Sequence, residues 1–382
     1  MEQAKINQSI NQSINRNSCI ELLRIFAMIL IIFHHMFTHG YYRNDLLKIN
    51  DKAWFWINSF SWLGMVGNYI FMLITGYYTH FVSLNKSKLA AKKTYLKLFS
   101  YSVIIGLIFF VFKLSFVPNN ADVTNIYKDV GFYETARKFG KLDFLKSFFP
   151  FILNTSWFAS SYIIFLFFIP YINRMLETLT NKEHLILCII SVLLGSVIQS
   201  IPLQAAFFPN AIFQFFMMFF IGSYIYKHKE NVTIKNFVIW GTIIFSISFI
   251  ILSQFLILKF GYKFNINIDI LLKFSKKIST SFFTVIISVG IFVLFLRMRP
   301  FQNNFINAFG KSTFGVYLIH DNAYLSIFMW NCIFKINESQ EIFPLKNCMI
   351  PFVIFIIASG LDILFDSLLR ILHFVRRKNE NN

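Results

Sequence analysis

Apolar residues fall along this chain in long, nearly unbroken runs, each bounded by a short polar stretch rich in Lys, Asn or Ser. A run of about 20 residues at ~1.5 Å rise per residue crosses the hydrocarbon core of a bilayer. The pattern predicts about ten such helices. They are Cys19–His39, Ser61–Phe81, Leu98–Val117, Trp157–Asn173, His184–Ile201, Phe207–Tyr226, Phe237–Leu258, Thr280–Leu296, Thr313–Phe334 and Met349–Leu369. The expected fold class is all-α, a polytopic helical bundle in a membrane. The domain organisation is a tail over 1–18, a membrane domain over 19–371 and a basic tail over 372–382. The Ile-Asn-Gln-Ser repeats between Ile6 and Asn15 cannot bury an apolar face, so the first tail is expected to be disordered. It lacks the basic start and short apolar core of a cleavable signal peptide.

Composition strengthens this reading. Hydrophobic residues make up 56% of the chain and charged ones 14%, which places it in the membrane class. The net charge of +18 invites a nucleic-acid partner, but that partner calls for cations clustered on one face of a soluble domain. Here the cations lie between apolar spans, so the partner is the lipid bilayer and not nucleic acid. Lys86, Lys88, Lys92, Lys93 and Lys97 fall on the same side as Lys227, Lys229 and Lys235 and as Arg376, Arg377 and Lys378. The positive-inside rule puts that side, with both termini, in the cytoplasm of a cell membrane. The segment Lys259 to Ser279 carries five lysines on the opposite side. It reads as a misdrawn span, a half-helix or a basic outer patch.

The first span carries Glu21, Arg24, His34 and His35 among its apolar residues. Ionisable groups at membrane depth are costly and mark a bundle interior or a watery path. Arg24 and His35 are eleven positions apart, which is three helical turns with ~20° left over. One stripe therefore carries a fixed cation and, ~16 Å further along, a titratable imidazole. Each alone has a plainer reading: Arg24 can snorkel or neutralise Glu21, and a helix histidine can be a satisfied core residue. His34 points ~100° away and reads as a packing residue or as a support for the side chains that act. Later in the chain Tyr317 and His320, three apart, share a face, with Asp321 next. Contact between that helix and the first would let His320 or Asp321 orient His35. Asp362 and Asp366, at i and i+4, resemble a metal or proton pair by spacing, but no histidine is placed with them and a solvated helix end is the simpler account.

Trp54, Trp56 and Trp62 lie in or beside the first outer loop, where they fit either an interfacial aromatic belt or stacking on sugar faces. Cys19 and Cys188 read as small wall residues. Cys332 and Cys348 flank one loop and could pair in an oxidising compartment. No His-Glu-x-x-His motif, no Gly-x-Ser-x-Gly elbow and no phosphate-binding glycine loop occurs. Neither a metal site nor an acyl-serine route is therefore expected.

An Arg, ten residues, then a His in the first membrane helix resembles the hallmark of the membrane-bound acyltransferase-3 family. Other stretches are similar to that family in the same order. They are Phe71-Met72-Leu73-Ile74-Thr75-Gly76-Tyr77, Ser156-Trp157-Phe158, Phe219-Phe220-Ile221-Gly222, and Gly310 to His320 with its Tyr-apolar-apolar-His ending. Thr75 stands where the family has Ser.

The resemblance implies an O-acyltransferase that moves an acyl group, acetyl foremost, from acyl-CoA to a hydroxyl of a cell-surface polysaccharide or lipid-linked sugar. It implies His35 as general base and Arg24 at the acyl-CoA entrance. Lys92, Lys93 and Lys97, in a region where the family usually has arginines, are candidates for CoA phosphates. For any single one of these three lysines the plainer reading, an ordinary positive-inside residue, is the better one. Trp157, Tyr317, His320 and Asp321 are further candidates for contact with substrate or donor. Acetyl-CoA enters as a substrate, and no bound cofactor is expected. The alternative is an exporter of polysaccharide or lipid-linked sugar, since buried ionisable residues line transport paths too. Transporters commonly show internal repeats, and none is evident here.

Overall fold

A computed structural model describes residues 17–40, 51–116, 139–201, 211–228, 233–336 and 345–380. The expected disordered tail, most of the loop after Val117, the start of the Phe207 span and Lys229 lie outside the described residues. Among the described residues all regular structure is helical, and eight helices are long and apolar enough to cross a membrane. A shorter apolar helix, Ile212–Lys227, adds to them. Each of the ten expected spans has a helical counterpart.

The chain begins with α1, Ser18–His35, which widens into a π-helical turn over Met36–Gly40. Then come α2 (Asp51–Phe60), α3 (Leu63–Tyr78), α4 (Leu84–Phe116), the short α5 (Lys141–Lys146) and α6 (Trp157–Thr178). The second half comprises α7 (Asn181–Val192), α8 (Ala211–Lys227), α9 (Asn236–Lys263), α10 (Ile268–Ile278) and α11 (Phe282–Leu296). It ends with α12 (Asn304–His320), α13 (Ala323–Phe328) and α14 (Ile350–Glu380).

Helix α1 is central, packed by α3, α12, α11 and α14. Its apolar residues Leu23, Ala27 and Ile32 are fully enclosed, whereas α9 and α14 expose Phe245, Leu252, Ile356 and Leu364 as a lipid-facing surface should. Helices α1 and α12 run in the same direction and are tied at both ends. At the first turn, the Ser18 hydroxyl donates to Asn307 Oδ1 at 2.8 Å and accepts from the Asn303 N–H at 2.7 Å. Asn17 and Asn303 cap the two helices side by side, each accepting from a backbone N–H of the following turn. At the far ends His35 meets His320. Parallel direction is what a first and a ninth crossing require, so the contact agrees with the count of spans.

Helices α3 and α8 approach at backbone distance. A Cβ on Gly76 would strike the carbonyl oxygen of Phe219, and one on Gly222 would stand 2.5 Å from that of Leu73. This reciprocal crossing is the small-residue packing that membrane helices use where the hydrophobic effect cannot drive association. It explains two of the motif glycines. Gly222→Leu is expected to cost more than ~3 kcal/mol, because backbone cannot yield to the added side chain. A melting curve of the detergent-solubilised variant that matches the parent would refute the crossing.

Several expectations change. The lysines Lys86 to Lys97 are not in a loop: α4 starts at Leu84 and carries them on its first turns. The ninth span starts at Asn304 and stops at His320, because Asn322 caps a new helix, α13, through the N–H groups of Tyr324 and Leu325. The lysine-rich segment after α9 is a half-helix, α10, held by Ser275 donating to Asn58 Oδ1 at 2.8 Å. Trp54 and Trp62 are core residues, neither interfacial nor free to stack on a sugar. Cys348 is a free thiol, and the Cys332 side chain lies outside the described residues. The segment drawn as a tail after residue 371 continues α14 as helix to Glu380.

Candidate functional site

Arg24, Met28, Ile31 and His35 recur at helical spacing on α1, and the first three line one cavity of about 210 Å³. Thr75 from α3, Phe158 and Tyr162 from α6, and Tyr317 from α12 close it. Arg24 reaches the wall while its Nε stays 4.0 Å from Glu21 Oε2, so it faces the cavity and keeps a buried countercharge. Phe158, the second residue of α6, supplies an aromatic wall, edge-on to Tyr317 at 5.7 Å between centroids. Its neighbour Trp157 is exposed and does not line this space.

Tyr317 connects the cavity to a polar cluster beyond it. One turn further along α12, His320 lies 6.2 Å from Tyr317 between ring centroids. His320 Nδ1 is 2.7 Å from the carbonyl oxygen of Val316. A carbonyl can only accept, so Nδ1 carries the proton and the Nε2 of neutral His320 is an acceptor. That Nε2 is 3.0 Å from His35 Nδ1, which must therefore be the donor. Asp321 Oδ1, 3.5 Å from the same Nδ1, favours the same assignment. The chain of bonds leaves His35 with its lone pair on Nε2, and a carboxylate stands ready to balance the charge when that nitrogen is protonated. The expected contact between the first and ninth spans is thus present. His34 sits with its ring where a Cβ on Gly64 would stand, which is the packing role, one of the two expected of it.

The three candidate lysines separate. Lys93 and Lys97 share a cleft of about 400 Å³ with Lys311 and Asp366. Thr94 and Phe314 line both that cleft and the Arg24 cavity. Lys92, one residue around the helix, faces a different crevice of about 590 Å³ walled by Tyr95, Phe151 and Phe167. Lys97 is not free. Its Nζ lies 2.6 Å from Asp362 Oδ1 and 3.5 Å from Asp366 Oδ1, and the Tyr101 hydroxyl donates to Asp362 at 2.7 Å. The expectation of a solvated face for the two aspartates is therefore overturned for Asp362, which is 1% exposed. Sequence reasoning also passed over Tyr162 and His39. Nothing in the spacing singles out Tyr162, but His39 is four residues from His35, a visible repeat.

The family model for an acyltransferase domain, that of the acyltransferase-3 family, matches residues 17–363. No curated protein and no solved structure matches the chain. The matched region runs from the cap of α1 into α14 and takes in every helix that builds the cavity and the histidine pair. This multi-pass membrane protein accordingly belongs to the acyltransferase-3 family and is an acyltransferase.

Proposed function

We propose that the chain transfers an acetyl group from acetyl-CoA to a hydroxyl of a cell-surface polysaccharide or lipid-linked sugar, with His35 as the general base. The observation that carries the reading is the placement of His35 Nδ1 against His320 Nε2 at 3.0 Å and Asp321 Oδ1 at 3.5 Å, which assigns the proton to Nδ1 and the basic lone pair to Nε2, at the end of a stripe that begins with Arg24. Nε2 takes the proton of the acceptor hydroxyl as its oxygen attacks the thioester carbonyl. The new ester C–O bond forms, the C–S bond breaks, and the CoA thiolate recovers the proton from His35. Asp321 stabilises the imidazolium in between. His320 acts through His35, as a positioning residue. Tyr317, which lines the cavity and precedes His320 by one turn, is the candidate to donate to the carbonyl oxygen as negative charge grows on it.

With both termini in the cytoplasm, Arg24 lies less than two turns from the cytoplasmic end of α1, where the donor would enter. Its guanidinium can grip a phosphate bidentately. Lys93, in the adjoining cleft, adds a second cation. A carbohydrate acceptor would reach His35 from the other side of the membrane.

The test is labelled acetyl-CoA incubated with membranes that contain the chain and its endogenous carbohydrate, reading label on carbohydrate and CoA released. Transfer by the wild type is expected; intact acetyl-CoA in its presence would remove the donor assignment. Arg24→Ala is expected to raise the KM for acetyl-CoA at least ~10-fold with a smaller change in kcat, the loss of one charged contact to the donor. An unchanged KM would return Arg24 to the role of partner for Glu21 alone.

A further inference from the structure

We propose that His35, His39 and Asp321 form a site for a zinc ion, and that zinc bound there silences the transferase. One ligand atom from each of the three lies within 4.8 Å of the other two. The set combines two imidazoles and a carboxylate, a borderline-soft donor mixture that suits Zn²⁺ and leaves a fourth position for water. Ligands at ~2 Å from a tetrahedral zinc sit roughly 3.4 Å apart, so closing the set takes little more than an ångström. His39 can supply that movement, because it is the exposed member while His35 is buried and Asp321 is in between. Its exposure also gives the ion a way in from solution.

The local backbone builds this arrangement. Through the π-helical turn over Met36–Gly40, the His39 ring comes 5.0 Å from that of His35 between centroids. Single π turns recur at functional sites because they re-aim side chains. Asp321 arrives from the end of α12, where the helix stops and the chain turns towards α13. No sequence motif announces the set, since its carboxylate comes from a different helix and only the His35 and His39 repeat is local.

The silencing follows from the chemistry of imidazole. A neutral ring has one basic lone pair. Zinc consumes it whichever nitrogen it takes, and His35 can then accept no proton from an acceptor hydroxyl. This half of the inference rests on His35 being the base. The binding half does not, and needs no substrate to be tested.

The experiment uses the full chain in detergent, stripped with a chelator and titrated with Zn²⁺ in competition with a chromophoric chelator. One equivalent is expected to bind to the wild type. In His39→Ala and Asp321→Asn binding is expected to be at least ~10-fold weaker, and in a remote control, His228→Ala, unchanged. A size-exclusion profile checks that loss of the His39 side chain leaves the fold intact. Labelled acetyl transfer by the wild type is expected to fall as the site fills, whereas His39→Ala keeps its basal rate and resists zinc. Absent stoichiometric binding, or equal affinity in His39→Ala, overturns the site. His39-dependent binding that leaves transfer untouched overturns the silencing. No transfer under any condition, with His39-dependent binding intact, would remove the proposed reaction and keep the site.

Discussion

His35→Ala abolishes acyl transfer in membranes, by a factor of about 10² to 10⁴ for the loss of a general base, while the protein still inserts and stays monodisperse. The size of the effect follows from the bonds already described. His320 cannot replace the lone pair at Nε2, because it has its own Nε2 turned towards His35 and its Nδ1 committed to Val316. Asp321 is within reach of the same nitrogen that donates to His320, so it cannot stand in at Nε2. His35→Gln sharpens the test: its amide can keep one hydrogen bond to His320 but cannot take a proton. It should insert as well as the wild type and transfer as poorly as His35→Ala. Full activity in either variant would end the assignment of His35, and would leave the cavity without a base on α1.

The stripe on α1 was legible because its members share one helix, so the period of 3.6 residues alone puts Arg24 and His35 on one face. Cavity wall and histidine cluster follow that face in the structure. The glycines of the family-like stretches were legible as positions but not as contacts. Only the fold reveals that Gly76 meets Phe219, Gly222 meets Leu73 and Gly310 meets Glu21. Helix ends were the least legible feature. Lys86 to Lys97 look like loop residues by hydropathy, yet α4 carries them, since lysine is a good helix former and apolar stems can lie along the neighbouring helix. The tryptophans misled for a related reason: a Trp between two apolar runs has the same local pattern whether it lies at an interface or, like Trp54, in the core.

Asp362 shows what spacing cannot supply, and it carries the second large prediction. An i and i+4 pair of aspartates defines a face, but the partner of that face, Lys97, is 265 residues away in the chain. The contact depends on α12 as well: a Cβ on Gly315 would collide with the Asp362 carboxylate, so only glycine lets α12 and α14 close over the pair. Lys97→Met leaves the Asp362 carboxylate buried, with the Tyr101 hydroxyl still donating to it but no cation beside it, and breaking a buried pair from one side costs about 3–5 kcal/mol. A marked drop in melting temperature is expected, and Lys97→Met with Asp362→Leu should recover most of it, because removing both charges removes the penalty. The double variant also decides between two roles for Lys97. Wild-type KM for acetyl-CoA in that variant assigns Lys97 to holding α4 against α14, and leaves Lys93 as the cleft's contact with the donor. A raised KM at restored stability means that Lys97 exchanges Asp362 for a CoA phosphate when the donor arrives. Equal melting of Lys97→Met and wild type would refute the ion pair itself.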